Sequence, residues 1–213
     1  MKNCNTREQR ITRASRLVSR ITALGMTIAV ALPQAAHADS VAPPPVPANL
    51  EVQAGNEAFL VGHAVGTQNY VCLPAPRIGQ VAWVLFTPQA TLLDDDGEQI
   101  TTHFFSPNPS ESGIVRAAWQ DSRDTSSVWG RDIASSSDPN FVTPGAIPWL
   151  LIEEVGTQEG STGGDTLSKI TFIQRLNTVG GVAPSTGCSL PTDIGNRAFV
   201  PYTADYFFYQ KSN

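Results

Sequence analysis

The stretch EAFLVGHAVGTQNYVC (57–72) alternates side chains with a period of two. Phe59, Val61, His63 and Val65 share one face of its first half, and Gln68, Tyr70 and Cys72 share one face of its second. Period two is the spacing of a strand, not of a helix. The same signal recurs along the chain. QVAWVLF (80–86) is apolar on both faces and reads as a central strand. ATLLDDDGEQITTHFF (90–105) reads as strand, Asp-Gly turn, strand. GIVRAAWQ (113–120), SSVWGR (126–131), IPWLLIEEV (147–155), LSKITFIQRL (167–176) and RAFVPYTADYFFYQ (197–210) supply further strands. No segment of ten or more residues has helical periodicity, although SESGIVRAAWQDS (110–122) has room for one short turn of helix. The 17 Gly and 16 Pro punctuate short strands. The expected fold is all-β: a single antiparallel β-sandwich or β-barrel-like domain over 51–213.

The first 38 residues read differently. Lys2, Arg7, Arg10, Arg13, Arg16 and Arg20 stand against one acid, Glu8, and precede the apolar run ITALGMTIAVAL (21–32). The small-x-small triplet Ala36-His37-Ala38 follows. This order is that of a secretory signal peptide, 1–38, cleaved after Ala38. The apolar run is too short to span ~30 Å of hydrocarbon. A secreted or periplasmic location is expected, with no stable membrane insertion after cleavage. SVAPPPVPANL (40–50) lies in a proline-rich lead-in, 39–50, expected to be extended and either mobile or laid along an edge.

Residues 1–38 hold six of the 14 Lys and Arg but one of the 19 Asp and Glu, so the remainder carries 8 bases and 18 acids. A surface this acidic repels phosphate backbones and anionic lipid, which argues against nucleic acid as a partner. Of the three cysteines, Cys4 belongs to the signal. Cys72 and Cys188 are left as a pair in an oxidising compartment, so one long-range disulfide is expected; two free thiols or half of a metal site are the alternatives.

Several chemistries lack their motifs. No G-x-G, Walker loop, G-x-S-x-G, C-x-x-C or H-x-x-H occurs. A zinc or copper site would need both His63 and His103 with carboxylates, and no metal or other cofactor is expected. LLDDDGEQI (92–100) fails as a calcium loop, because aligning Gly97 to the sixth position puts Leu92 at the first and His103 at the twelfth. A hairpin turn through Asp96-Gly97 is expected instead. Glu153 and Glu154 are adjacent on a strand and must point to opposite faces.

The richest stretch is ITTHFFSPNPSESGIVRAAWQDSRDTSSVWG (100–130). His103 leaves its strand on the face opposite Ile100 and Phe104. Arg116, Trp119, Asp121 and Asp124 follow. Aromatic faces stack on sugars and carboxylates fix hydroxyls, so these five residues form a candidate binding site for a glycan or small polar ligand. The competing reading is an ion-pair cluster beside strand-end tryptophans. YTADYFFY (202–209) reads as a core strand with a tyrosine-lined edge.

IPWLL (147–151), FIQRLNTVGGVAPSTGC (172–188) and VPYTADYFFY (200–209), with TQNYVC, PQATLLDDDGEQITTHF and DTSSVWG before them, resemble a secreted bacterial and fungal domain-of-unknown-function family, number thirty-four fifty-five. The resemblance covers about 47–210. It implies a β-rich secreted fold and a disulfide matching Cys72 and Cys188. Its usual Ala-Gly-Pro-x-Trp after the histidine and Asp-Gly-Ser-x-Val are replaced here by FFSPNPSESG and DTSSVW, so a shared site would be altered in this chain. Some fungal members carry the label malate dehydrogenase, but this chain has neither G-x-G nor an alternating βα pattern. The leading expectation is a non-catalytic binding module. The rivals are an extracellular hydrolase pairing Asp121 or Asp124 with His103 or Glu111, and a structural surface protein.

Overall fold

The computed structural model describes residues 41–212. The proposed signal peptide lies outside the described residues. Eight strands follow one another: β1 (Asn56–Pro74), β2 (Val81–Leu93), β3 (Gln99–Asn108), β4 (Ile114–Asp121), β5 (Ser127–Ser136), β6 (Trp149–Gln158), β7 (Phe172–Gly180) and β8 (Arg197–Lys211). Each pairs antiparallel with its sequence neighbour, and β8 returns to pair with β1 from Asn56↔Lys211 to Val71↔Arg197. The result is a closed up-and-down barrel. Closure leaves no unpaired sheet edge.

The two runs of 57–72 are one strand. Gly62, Ala64 and Gln68 face inward with Cys72, whereas Val61, His63 and Val65 face outward. Small inward residues are required there: a Cβ on Gly66 would lie 2.1 Å from the Gln89 carbonyl oxygen and 2.6 Å from the Ala90 Cβ. QVAWVLF is not a central strand. It is the first half of β2, with Val84 and Phe86 exposed and Leu85 against the lumen cavity, because each strand of a closed barrel turns one face outward. β2 continues through Pro88, which has no N–H to give the ladder. Beside it, the Phe105 N–H donates to Thr87 Oγ1 at 3.2 Å.

Antiparallel alternation sorts the connections. The β2–β3, β4–β5 and β6–β7 links lie at one end of the barrel, and the other four links lie at the opposite end. The β2–β3 link is the expected turn, with Gly97 at φ +80° donating its N–H to the Asp94 carbonyl and Asp94 Oδ1 accepting from Glu98 N. At this first end the lumen is filled by Leu92, Ile100, Val128, Leu167, Ile170, Ile173 and Phe208. Leu167 and Ile170 come from the β6–β7 connection, which closes the barrel like a stopper.

A second apolar cluster lies outside the barrel. Trp149, Leu151, Leu176, Phe207 and Tyr209 are covered by Val41, Val46 and Leu50 of the proline-rich segment and by Phe141 and Val142. Leu50 is fully buried, its carbonyl accepts from Gln174 Nε2 at 2.6 Å, and Asn49 Nδ2 donates to the Ser135 carbonyl. The segment is a packed strap over β5–β8. That explains the aromatics on both faces of YTADYFFY: Tyr202, Tyr206 and Phe208 point inward, and Phe207 and Tyr209 lie under the strap.

Cys72 and Cys188 are disulfide-bonded across 116 residues, with Cα atoms 5.5 Å apart. The bond ties the end of β1 to the β7–β8 connection at the second end of the barrel. Trp83 Nε1 donating to the Thr186 carbonyl and Tyr70 OH donating to the Gly181 carbonyl fix the same connection.

Candidate functional site

The second end of the lumen is not filled. A cavity of about 230 Å³ opens there between the strands. Its inner part is aromatic. The His103 ring stacks on Trp119 with centroids 4.3 Å apart and planes 12° from parallel. Tyr206 meets both rings at an angle, and Phe208 packs edge-on against Trp119 from the filled end. These rings are the partition between the two halves of the lumen. Gly130 makes room for them, since a Cβ there would lie 2.4 Å from Ile152 Cγ2 and 3.3 Å from Trp119 Cζ3.

His103 is buried, and Nδ1 lies 2.9 Å from the Ala118 carbonyl oxygen. A carbonyl only accepts, so Nδ1 carries the proton. Burial is the main force on the ring; with a smaller push from Arg175 it outweighs the Ala118 bond and takes the pKa down to about 3. The imidazole is therefore neutral at ordinary pH, and Nε2 keeps its lone pair.

Polar groups on Gln68, Tyr70, Asp132 and Arg175 line the rest of the cavity. Arg175 projects inward from β7 at a position paired with Leu150 and Tyr206. Its Nη2 donates to the Pro148 carbonyl at 2.9 Å, which fixes the guanidinium plane. Asp132 stands on the lip with part of its surface in solvent, yet the protein crowding its carboxyl pushes the pKa up, opposed by Arg175. Among the described residues no ion pair joins Arg175 to Asp132. Three lining residues carry a buried N–H that makes no hydrogen bond of good geometry, Gln68 Nε2, Trp119 Nε1 and Arg175 Nε, although the Tyr202 and Tyr206 hydroxyls lie near Gln68 and Arg175. Such groups are rare in folded proteins and are usually satisfied by water or a ligand.

Of the five residues singled out from sequence, the structure brings together His103 and Trp119. Arg116 alternates with Ala117 and Trp119 along β4 and makes a two-pronged bond to Glu111, Nε to Oε2 at 2.8 Å and Nη2 to Oε1 at 2.7 Å. The Arg116 guanidinium, helped by Asn108 Nδ2, holds the Glu111 carboxyl down to about 2. Asp121 and Asp124 belong to the β4–β5 turn at the filled end. Asp121 Oδ1 accepts from the N–H groups of Arg123 and Asp124. Asp124 accepts from Ser126 N and Oγ and, across the link, from Thr166 N. Burial pushes its carboxyl up, but these bonds win and hold it well below the usual carboxylate range. Asp124 is a tether for the stopper.

Sequence reading missed Gln68 as a site residue, along with Asp132, Arg175 and Tyr206. The available signal was a polar residue at an inward strand position: Gln68 and Tyr70 in TQNYVC, and Arg175 two residues after Ile173 in FIQRL. His63 lies on the outer face of β1, its Nδ1 2.7 Å from Asp205 Oδ1 and its Nε2 3.0 Å from Asp95 Oδ1. The Asp205 bond raises its pKa, against burial and with help from Asp95. His63 and His103 therefore do not share a site, and among the described residues no group of three or more His, Cys, Asp or Glu side chains is placed to hold a metal.

The family model described as Protein of unknown function (DUF3455) matches residues 53–210, which is the barrel with nearly all of its first and last strands. The chain belongs to this family. No curated protein and no solved structure matches it. The DUF3455 assignment covers β1 to β8 and carries no activity with it.

Proposed function

We propose that this DUF3455 protein is an exported binding module that holds a small polar ligand in the open half of its barrel lumen. The observation that carries the reading is the open cavity of about 230 Å³, with Arg175 and Asp132 unpaired in its lining and with three of its lining residues, Gln68, Trp119 and Arg175, each holding a buried N–H without a hydrogen bond. A folded chain leaves such donors buried at a cost of about 1–3 kcal/mol each. A site that recovers this cost on binding is the economical explanation. The volume is below the ~300–1,000 Å³ of pockets that take drug-sized ligands, so the ligand is no larger than a monosaccharide, free or at the end of a glycan. Stacked rings on the inner wall suit a flat or ring-shaped ligand face.

Binding without chemistry is supported by how the acids are used. Asp121 and Asp124 are spent on backbone N–H groups, Glu111 on Arg116, and His103 accepts no carboxylate partner. Export is proposed from the basic n-region, the apolar run and Ala36-His37-Ala38. The Cys72–Cys188 bond is compatible with an oxidising compartment.

A thermal-shift panel of neutral sugars, sugar acids, polyols and amino acids tests the binding reading. A ligand present at a hundred times its Kd adds about 2.7 kcal/mol of stability. The expected result is a raised midpoint that Ala117→Phe, which fills the cavity from β4, abolishes. A shift that survives Ala117→Phe refutes the lumen as the site.

A further inference from the structure

The lining of the cavity has an uneven chemistry. Arg175 is its one cation and Asp132 its one acid, and they are not paired with each other. Gln68 and Trp119, both essentially fully buried, each hold an N–H without a hydrogen bond behind the inner side. The lining thus sets a cation inside against an acid on the lip. A ligand that satisfies this arrangement needs acceptor oxygens inside and a hydrogen-bond donor outside.

Arg175 narrows the acceptor. Its guanidinium is planar, always charged, and already oriented by Pro148, so its remaining N–H groups present a fixed fork. A fork of this shape matches a carboxylate. One guanidinium compensates a single negative charge, and a phosphate dianion would leave its second charge uncompensated and facing Asp132. We propose, on the basis of the lumen reading above, that the ligand class is a small carboxylic acid bearing a hydroxyl or amino donor. Its carboxylate sits against Arg175, and its donor turns to Asp132.

Calorimetric titration of the purified protein with glucuronate, glucose, acetate, alanine and inorganic phosphate tests the class. Each probe removes one element: glucose lacks the carboxylate, acetate lacks the donor, alanine replaces hydroxyl with ammonium. Glucuronate or alanine should bind about tenfold or more tightly than glucose or acetate, as expected for a charge-assisted contact. Arg175→Met should remove that preference, and Arg175→Lys, which keeps the charge and loses the fork, should restore part of it. Asp132→Asn should weaken both glucuronate and alanine, and indifference of both to it overturns the donor contact with Asp132. Equal binding of glucose and glucuronate, tighter binding of phosphate, or indifference to Arg175→Met overturns the acid class. If Ala117→Phe still abolishes that binding, the lumen reading survives. Acid binding that persists in Ala117→Phe overturns both, and no binding by any probe at millimolar concentration overturns the acid class alone.

Discussion

At one end of the lumen Leu167, Ile170 and Ile173 meet Phe208 and leave no exposed surface beyond a few per cent. At the other, Gln68, Arg175 and Asp132 surround open volume. The same eight strands frame both ends, with the His103–Trp119 stack between them. The contrast shows how a small barrel separates two tasks. The filled end stores stability in aliphatic packing, and the open end gives some of that stability up to keep polar groups available. Carboxylates bonded to backbone secure the links at both ends, and the open end adds a covalent bond.

The largest effect should come from breaking that bond. Cys72→Ser with Cys188→Ser, or reduction, should cost on the order of 4–5 kcal/mol, read from the denaturation midpoint under oxidising and reducing conditions. Next is the stopper. Leu167→Ala removes a fully buried side chain and should cost about 2–5 kcal/mol, with increased hydrogen exchange across 159–171. Asp124→Ala, which leaves Thr166 N and Ser126 N without their acceptor, should cost about 1–3 kcal/mol and give the same exchange pattern. Gly130→Ala strikes the partition and should cost about 1–3 kcal/mol by overpacking, with altered tryptophan emission. The smallest change belongs to the open end: Gln68→Met should be within about 1 kcal/mol of neutral, because it deletes an unpaired donor. If Gln68→Met instead costs as much as Leu167→Ala, the two ends are not different in kind.

Acid sharpens the same comparison from inside and outside. His103 has its pKa depressed to about 3, so the unfolded chain, near 6.5, binds the proton first. Its neutral form favours folding fully above 6.5, and this contribution falls by roughly 1.4 kcal/mol per pH unit from there toward 3. His63 has the opposite sign: its raised pKa gives a contribution that is complete below 6.5 and lost as pH rises through its folded value. His103→Phe should flatten the acid limb of a stability–pH curve, and His63→Gln should flatten only the limb above 6.5.

Much of the fold was legible because period-two alternation survives in RAFVPYTADYFFYQ, IPWLLIEEV and TQNYVC. The expectation of sandwich or barrel stopped short of closure, since β1↔β8 pairing joins residues at opposite ends of the chain and no local pattern encodes it. The inner face of β1 was hidden by its glycines: Gly62 and Gly66 carry no hydrophobic signal, while outward Val61 and Val65 do. For the site, nearness in sequence misled. Asp121 and Asp124 follow Trp119 closely but lie at the strand's last residue and beyond it, where short acids cap turns. Arg175 and Asp132, which share the cavity with His103, are far from it in sequence and become neighbours only when the sheet curls.

The β1–β8 seam also sets an order of events. Asn56 must find Lys211 and Val71 must find Arg197, so the barrel cannot shut until the last strand exists and is free to move. Until then β1 offers an unsatisfied ladder along its whole length, a sticky edge that invites other chains. Long-range pairing of this kind is slow, on the ms-to-s scale typical of β topologies. Cys72 N–H bonds the Asn196 carbonyl just before β8 begins, so the disulfide and the seam draw together the same two stretches of chain.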